Sequence, residues 1–195
     1  MEEQIKITGI IRSIKLAGFV DENTKFGDIG VLDLIKQAVR DKKWAILEVL
    51  QSVGYIIPTL GGKAFTEQKN LIATVGRSVL AERLAGGVTY TGEINYGAVG
   101  TDNTAPANGD TTLGAEVFRK VTASQTFSDN IAYVDFFYSA SDFDTGVTGT
   151  IEEFGNFIDG GAGADSGQLW SHIVTGGWTK TGTESLFVSC EYTIT

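Results

Sequence analysis

The chain has 195 residues, 42% of them hydrophobic, and a formal net charge of −9, which fits one large domain with a packed core and excludes a disordered polyelectrolyte. The negative excess lies between Val121 and Thr195, where ten acidic residues meet a single base, Lys180; a surface of that sign disfavours nucleic acid and anionic lipid as partners. Twenty-five glycines against two prolines point to many tight turns rather than many long helices.

The opening MEEQIKITGI is acidic and lacks the apolar run of a secretory signal. No later segment approaches the roughly 20 apolar residues of a membrane span. The expectation is a soluble protein made in the cytoplasm. QIKITGIIRSIKL (4–16) reads as a strand. Its apolar parity changes after Gly9, from Ile5 and Ile7 to Ile10, Ile14 and Leu16, which predicts a β-bulge at the glycine.

Residues 28–54 form the most helical stretch. Leu32, Ile35 and Val39 recur at helical spacing, with Asp28 as the expected N-cap. Ile46, Val49, Leu50 and Val53 make a second run that stops at Gly54. The pair predicts an αα-hairpin broken near Asp41–Lys43. A third helix is predicted over 69–87, with Leu71, Ile72, Val75, Val79 and Leu80 as its stripe and Gly86–Gly87 as its end.

After Gly87 short β-prone runs alternate with Gly, Asn, Asp and Thr clusters, the spacing of an antiparallel sandwich or barrel. In NIAYVDFFYSA both faces are apolar except for Asp135. That strand is central, or its second face is covered by another subunit or by the N-terminal helices. The last strand alternates cleanly: Leu186, Val188, Cys190, Tyr192 and Ile194 face one way, and Phe187, Ser189, Glu191 and Thr193 the other. Cys190 is the one cysteine, so no intrachain disulfide forms. Its place in the alternation makes it a core residue rather than a nucleophile. The reading is an α+β, mainly β chain, divided into an N-terminal strand plus helical insert (1–68) and a helix followed by an antiparallel β-sandwich (69–195, the sandwich itself over about 88–195).

Candidate chemistry is sparse. The one histidine, His172 in QLWSHIV, and the one cysteine cannot furnish a four-ligand zinc site. No serine sits in the glycine setting of a nucleophile elbow, and no glycine-rich stretch ends in the Lys-Ser/Thr of a phosphate loop. Glu152 and Glu153 are adjacent in a β-prone run and point to opposite faces, whereas a glycosidase pair must aim at one bond. One of them, Glu153, should face inward and either accept from backbone N–H groups or pair with a base. Asp142-x-Asp144-x-Gly146 and Asp159 with Asp165 resemble oxygen-rich calcium loops, but the full twelve-residue spacing is absent and Asp-Gly turns explain them. No catalytic residue, cofactor or metal ligand is assigned.

From Lys69 onward the order of features resembles a class of tailed-bacteriophage virion proteins found among tail-fibre, collar and baseplate-attachment components. The matching pieces are KNLIATVGRSVLAERLAGG, INYGAVGTDNTAPANGDTTLGAEVFRK, IAYVDFFYSA, EEFGNFIDG, SGQLWSHIV and TKTGTESLFVSCEYTIT, about two thirds of the chain. The most specific are the Gly-x-Val-Gly-Thr loop with Thr111, Leu113 and Glu116 downstream, and Glu153, Gly155 and Phe157 before an Asp-Gly. The resemblance implies a β-sandwich that docks onto a virion without catalysis. The helical run at 28–54 is an insertion relative to that pattern, and no shaft or receptor-binding tip follows. An adaptor, collar, decoration or short-fibre role is therefore expected, as a homo-oligomer, a trimer or larger ring, contacting other virion proteins. Phe154, Phe157, Trp170, Trp178 and Phe187 are the candidate interface residues. The alternative is a carbohydrate- or receptor-binding module presenting Trp170 and Trp178 beside the acidic loops.

Overall fold

The computed structural model describes residues 6–195. The chain runs through β1 (Ile7–Ala17), a small hairpin of β2 (Lys25–Phe26) and β3 (Ile29–Gly30), α1 (Val31–Arg40), α2 (Trp44–Ser52), β4 (Thr66–Lys69), β5 (Leu71–Ile72) and α3 (Thr74–Leu84). It continues through β6 (Ile94–Gly100), β7 (Glu116–Val121), β8 (Ser124–Ser128), β9 (Ile131–Tyr138), the single turn α4 (Thr145–Thr148), β10 (Ile151–Ile158), β11 (Gln168–Trp178) and β12 (Glu184–Ile194). Two five-stranded antiparallel sheets pack face to face, one in the order β4-β1-β12-β9-β8 and the other in the order β5-β11-β10-β6-β7. The mainly β sandwich follows from the period-2 apolar pattern of these runs.

The core between the sheets holds Ile11, Val134, Phe136, Tyr138, Val188, Cys190 and Tyr192 from the first sheet, and Val99, Phe154, Ile173 and Trp178 from the second. Residues of opposite parity on the first sheet, Ile14, Leu16, Phe137 and Phe187, face outward onto α1 and α2 through Val31, Ile35, Val39, Leu47 and Leu50. The two-sided apolar character of β9 is thus explained within one chain: the N-terminal helices cover its second face. On the outer side of the second sheet, Ala98, Phe157 and Leu169 pack with Ala73 and with Leu113 of the 101–115 loop.

Four expectations need correction. The sandwich does not begin near residue 88. β1 lies inside the first sheet, paired to β12 on one side and β4 on the other, and the expected division at 68/69 falls within β4. There is no bulge at Gly9, because β1 stays in register with β12 from Ile7↔Ile194 to Ala17↔Glu184. The strand is simply apolar on both sides, and the glycine makes room for Asn70, whose Oδ1 would lie 2.0 Å from an added Cβ. Asp28 does not cap α1: it sits in the β2–β3 turn beside Gly27 (φ 64°), and the helix starts after Gly30. The third helix begins only at Thr74, since Leu71 and Ile72 pair as β5 with His172 and Ser171; it ends at Gly86 (φ 82°) as expected. Among the described residues no helix is long and apolar enough to cross a membrane.

Candidate functional site

Buried charge gathers at one place on the outer side of the second sheet. Glu153 on β10 stands opposite Val174, and His172 on β11 stands opposite Gly155, so the two side chains are diagonal cross-strand neighbours. His172 Nε2 lies 3.1 Å from Glu153 Oε2, and His172 Nδ1 lies 3.0 Å from Asp110 Oδ2. Glu153 also accepts from the backbone N–H groups of Gly114 (2.9 Å) and Ala115 (2.7 Å). The 101–115 loop is therefore fastened to the sheet through one carboxylate and one imidazole. Gly155 permits the close approach, because an added Cβ would come within 2.8 Å of Leu113 Cδ2.

Carboxylates have no proton to give at neutral pH, so a ring with both nitrogens against them carries a proton on each. Burial opposes a charged His172, but hydrogen bonds to Glu153 and Asp110 outweigh it and raise its pKa above 6.5. Burial likewise works against ionised Glu153, and the hydrogen bonds from His172, Gly114 and Ala115 overcome it and hold its carboxyl below 4.5. A cleft of about 380 Å³ lies beside this cluster, walled by the loop from Asp102 to Gly114 and by His172.

Other charged side chains also act as internal ties. Arg119 holds both oxygens of Glu116 (2.5 and 2.6 Å), donates to the carbonyls of Gly161 and Ser166, and stacks 4.6 Å above Phe157. It fastens the 159–167 loop to β7. Lys180 is fully buried, with Nζ directed at the carbonyls of Ala140, Phe143 and Thr181 and lying over the Phe143 ring; burial lowers its pKa. Beneath the helices, Arg12 bridges Glu67 (2.7 Å) and Glu191 (3.0 Å) and lies over Trp44.

The five expected interface residues are not at a surface. Phe154, Phe157 and Phe187 are fully buried, and Trp170 and Trp178 retain 8% and 5% of their exposure. Phe154 and Trp178 stack tilted in the inter-sheet core, Phe187 lies under the helices, and Phe157 lies under Arg119. The rings needed cover, and this chain supplies it; nor do the tryptophans project toward a sugar in the manner the alternative reading required.

The acidic loops are likewise spoken for. Asp142 pairs with Lys120 and accepts from the Ser139 N–H at 2.7 Å. Asp144 accepts from Gly146 and Gly182 N–H groups, each at 2.7 Å, and Asp159 accepts from Thr91 N–H at 2.8 Å. Asp165 occupies a left-handed turn (φ 59°). Among the described residues no group of three or more His, Cys, Asp or Glu side chains is placed to hold a metal ion.

Glu153 is buried and accepts from backbone and from a base as expected, but it faces away from the inter-sheet core and is covered by the 101–115 loop instead. Its neighbour Glu152 lies where the strand register shifts between Ile151 and Glu153, and is only partly buried. Asp110 was not legible as a partner of His172, because it lies 62 residues away in a loop of Asp, Asn and Gly residues that reads as a turn. No protein-family model, curated protein or solved structure matches the chain.

Proposed function

We propose that the chain is a non-enzymatic structural protein of a tailed-bacteriophage particle, a fibre, collar, baseplate-adaptor or decoration component, that works by associating with copies of itself and with neighbouring virion proteins. The observation that carries this reading is where side-chain bonding capacity is spent and where it is left open. The buried ionisable groups serve to fasten loops and layers together. By contrast, the longer sheet edges, β7 and β8, follow one another in sequence and lie on the same side of the sandwich.

An unpaired edge is a template for another strand, and monomeric proteins usually blunt it with charge, proline or a covering loop. β8, SQTFS, has neither charge nor proline, and Phe127 within it is 80% exposed; Val117 and Val121 on the other edge strand, β7, are exposed as well. In a chain carrying −9, an uncharged edge is where two copies approach without repulsion. Cover for β9 is not what association supplies, since the helices do that; association instead extends the sheets.

Sedimentation across a concentration series tests the self-association. The wild type is expected to shift to a larger species as concentration rises, and Phe127→Lys to remain monomeric. A tagged copy supplied while the phage grows is expected to band with purified particles. Recovery only in the soluble fraction would overturn the virion assignment.

A further inference from the structure

We propose that His172 is a pH-operated latch: loss of a ring proton frees the Asp110 side of the 101–115 loop while the Glu153 side stays fastened. The geometry makes the two contacts interdependent. Both ring nitrogens face carboxylate oxygens, at 3.0 and 3.1 Å. A neutral imidazole has one N–H and one lone pair, so after deprotonation one contact becomes a lone pair against a carboxylate and must open.

The two partners differ in which can leave. The Glu153 side chain is 1% exposed and is held by the N–H groups of Gly114 and Ala115. It cannot turn to water without abandoning those donors and breaking the β10–loop contact. The Asp110 side chain is 27% exposed, and its Oδ2 also accepts from Ala107 N–H at 2.8 Å, within its own loop. It can move outward with that turn intact. The proton therefore stays on Nε2, toward Glu153, and Asp110 departs.

The charges around the ring act in the same direction. Glu153 approaches from β10, and Asp110 and Asp102 from the loop; hydrogen bonds from Thr104 hold the Asp102 carboxyl below its usual value, with a smaller contribution from the charge of His172. Loss of the imidazolium leaves three carboxylates without the cation among them. From α3 the guanidinium of Arg77 reaches the same loop, donating to Asn108 Oδ1 at 3.1 Å, and Thr74 N–H donates to the Asn108 carbonyl at 2.9 Å. These outer ties remain, so the loop loosens rather than detaches. Leu113, buried against Phe157 and Leu169, marks where the motion stops. The loosened stretch is the wall of the cleft, and its release opens that cleft above the neutral ring.

The chain has one histidine, so a single imidazole resonance reports the latch. In the full-length protein, an NMR titration should place the His172 midpoint above 6.5. Across that midpoint the amide resonances of Ala107 and Gly109–Thr112 should shift as the loop swings away from the ring, while Gly114 and Ala115 keep their hydrogen-exchange protection. Asp110→Asn should lower the midpoint and reduce the pH-dependent shifts of the loop amides. A midpoint at or below 6.5, loop amide resonances unmoved across the titration, or loss of protection at Gly114 and Ala115 would each overturn the proposal. The wild-type titration decides the matter even if the variant folds poorly, and it is independent of any result on virion incorporation.

Discussion

Arg40, in the last turn of α1, donates to the buried carboxylate of Asp135 on β9 at 3.0 Å, joining the helical layer to the sheet it covers. Asp135 also accepts from Ser124 Oγ (2.6 Å) and Ser189 Oγ (2.7 Å). It is the one charged residue in NIAYVDFFYSA, and this pairing is its reason. Arg40→Met should cost about 2–3 kcal/mol, because it strands a buried charge that keeps only two hydroxyl donors. Asp135→Asn should cost less, about 1 kcal/mol, since Arg40 still reaches water. Urea unfolding checks the order; equal losses would show that the pair, and not the stranded carboxylate, sets the cost.

Gly76 lies where α3 crosses β11, and an added Cβ would stand 2.8 Å from Trp170 Cα and 3.0 Å from the Leu169 carbonyl. The obstruction is backbone, so it cannot rotate aside. Gly76→Ala should lower stability by about 1–3 kcal/mol despite a helix-propensity gain of roughly 1 kcal/mol. Gly109→Ala, with open space around the new methyl, should stay within about 0.5 kcal/mol of wild type. Thermal melts of the two variants side by side make the comparison.

Cys190 sits in the inter-sheet core, and burial pushes its thiol up to about 12. Native protein should resist thiol reagents at neutral pH and label only as fast as the sandwich opens. Labelling on the timescale of a free thiol, followed by mass spectrometry, would contradict the inter-sheet placement.

The His172–Glu153 pair sets a window for stability. The raised histidine pKa contributes fully below 6.5 and is lost as pH rises through the higher folded value. The depressed glutamate pKa contributes fully above 4.5 and is lost as pH falls through the lower folded value. Their joint contribution is therefore greatest between 4.5 and 6.5. Urea midpoints measured over pH should show that maximum, and His172→Gln should flatten its alkaline side.

Local patterning made much of this legible. The alternation from Leu186 to Tyr192 places each side chain where it lies, and the apolar spacing of Leu32, Ile35 and Val39 marks the face of α1 that is buried. What the sequence could not convey is which surface covers which. Phe154, Trp178 and Phe187 announce apolar area in need of cover, but the same residues serve a subunit interface or a core equally well; only the position of β1 and the helices decides between them. The latch was hidden for a related reason. A buried glutamate can be anticipated from its place in an apolar strand, whereas the loop that buries it and its link through His172 to Asp110 depend on how a distant segment folds back.

The seam between β1 and β12 joins residues from nearly opposite ends of the sequence, Ile7 with Ile194 through Ala17 with Glu184. During synthesis β1 emerges well before β12 and must wait for this partner while all the intervening chain is made. α1, α2 and the β10–β11 pair can form from neighbouring sequence in the meantime. The first sheet instead closes late, by a long-range zippering step that carries the greatest loop-closure cost. Until then the apolar sides of β1 are open to other strands, so the nascent chain is most vulnerable to misassociation before β12 emerges.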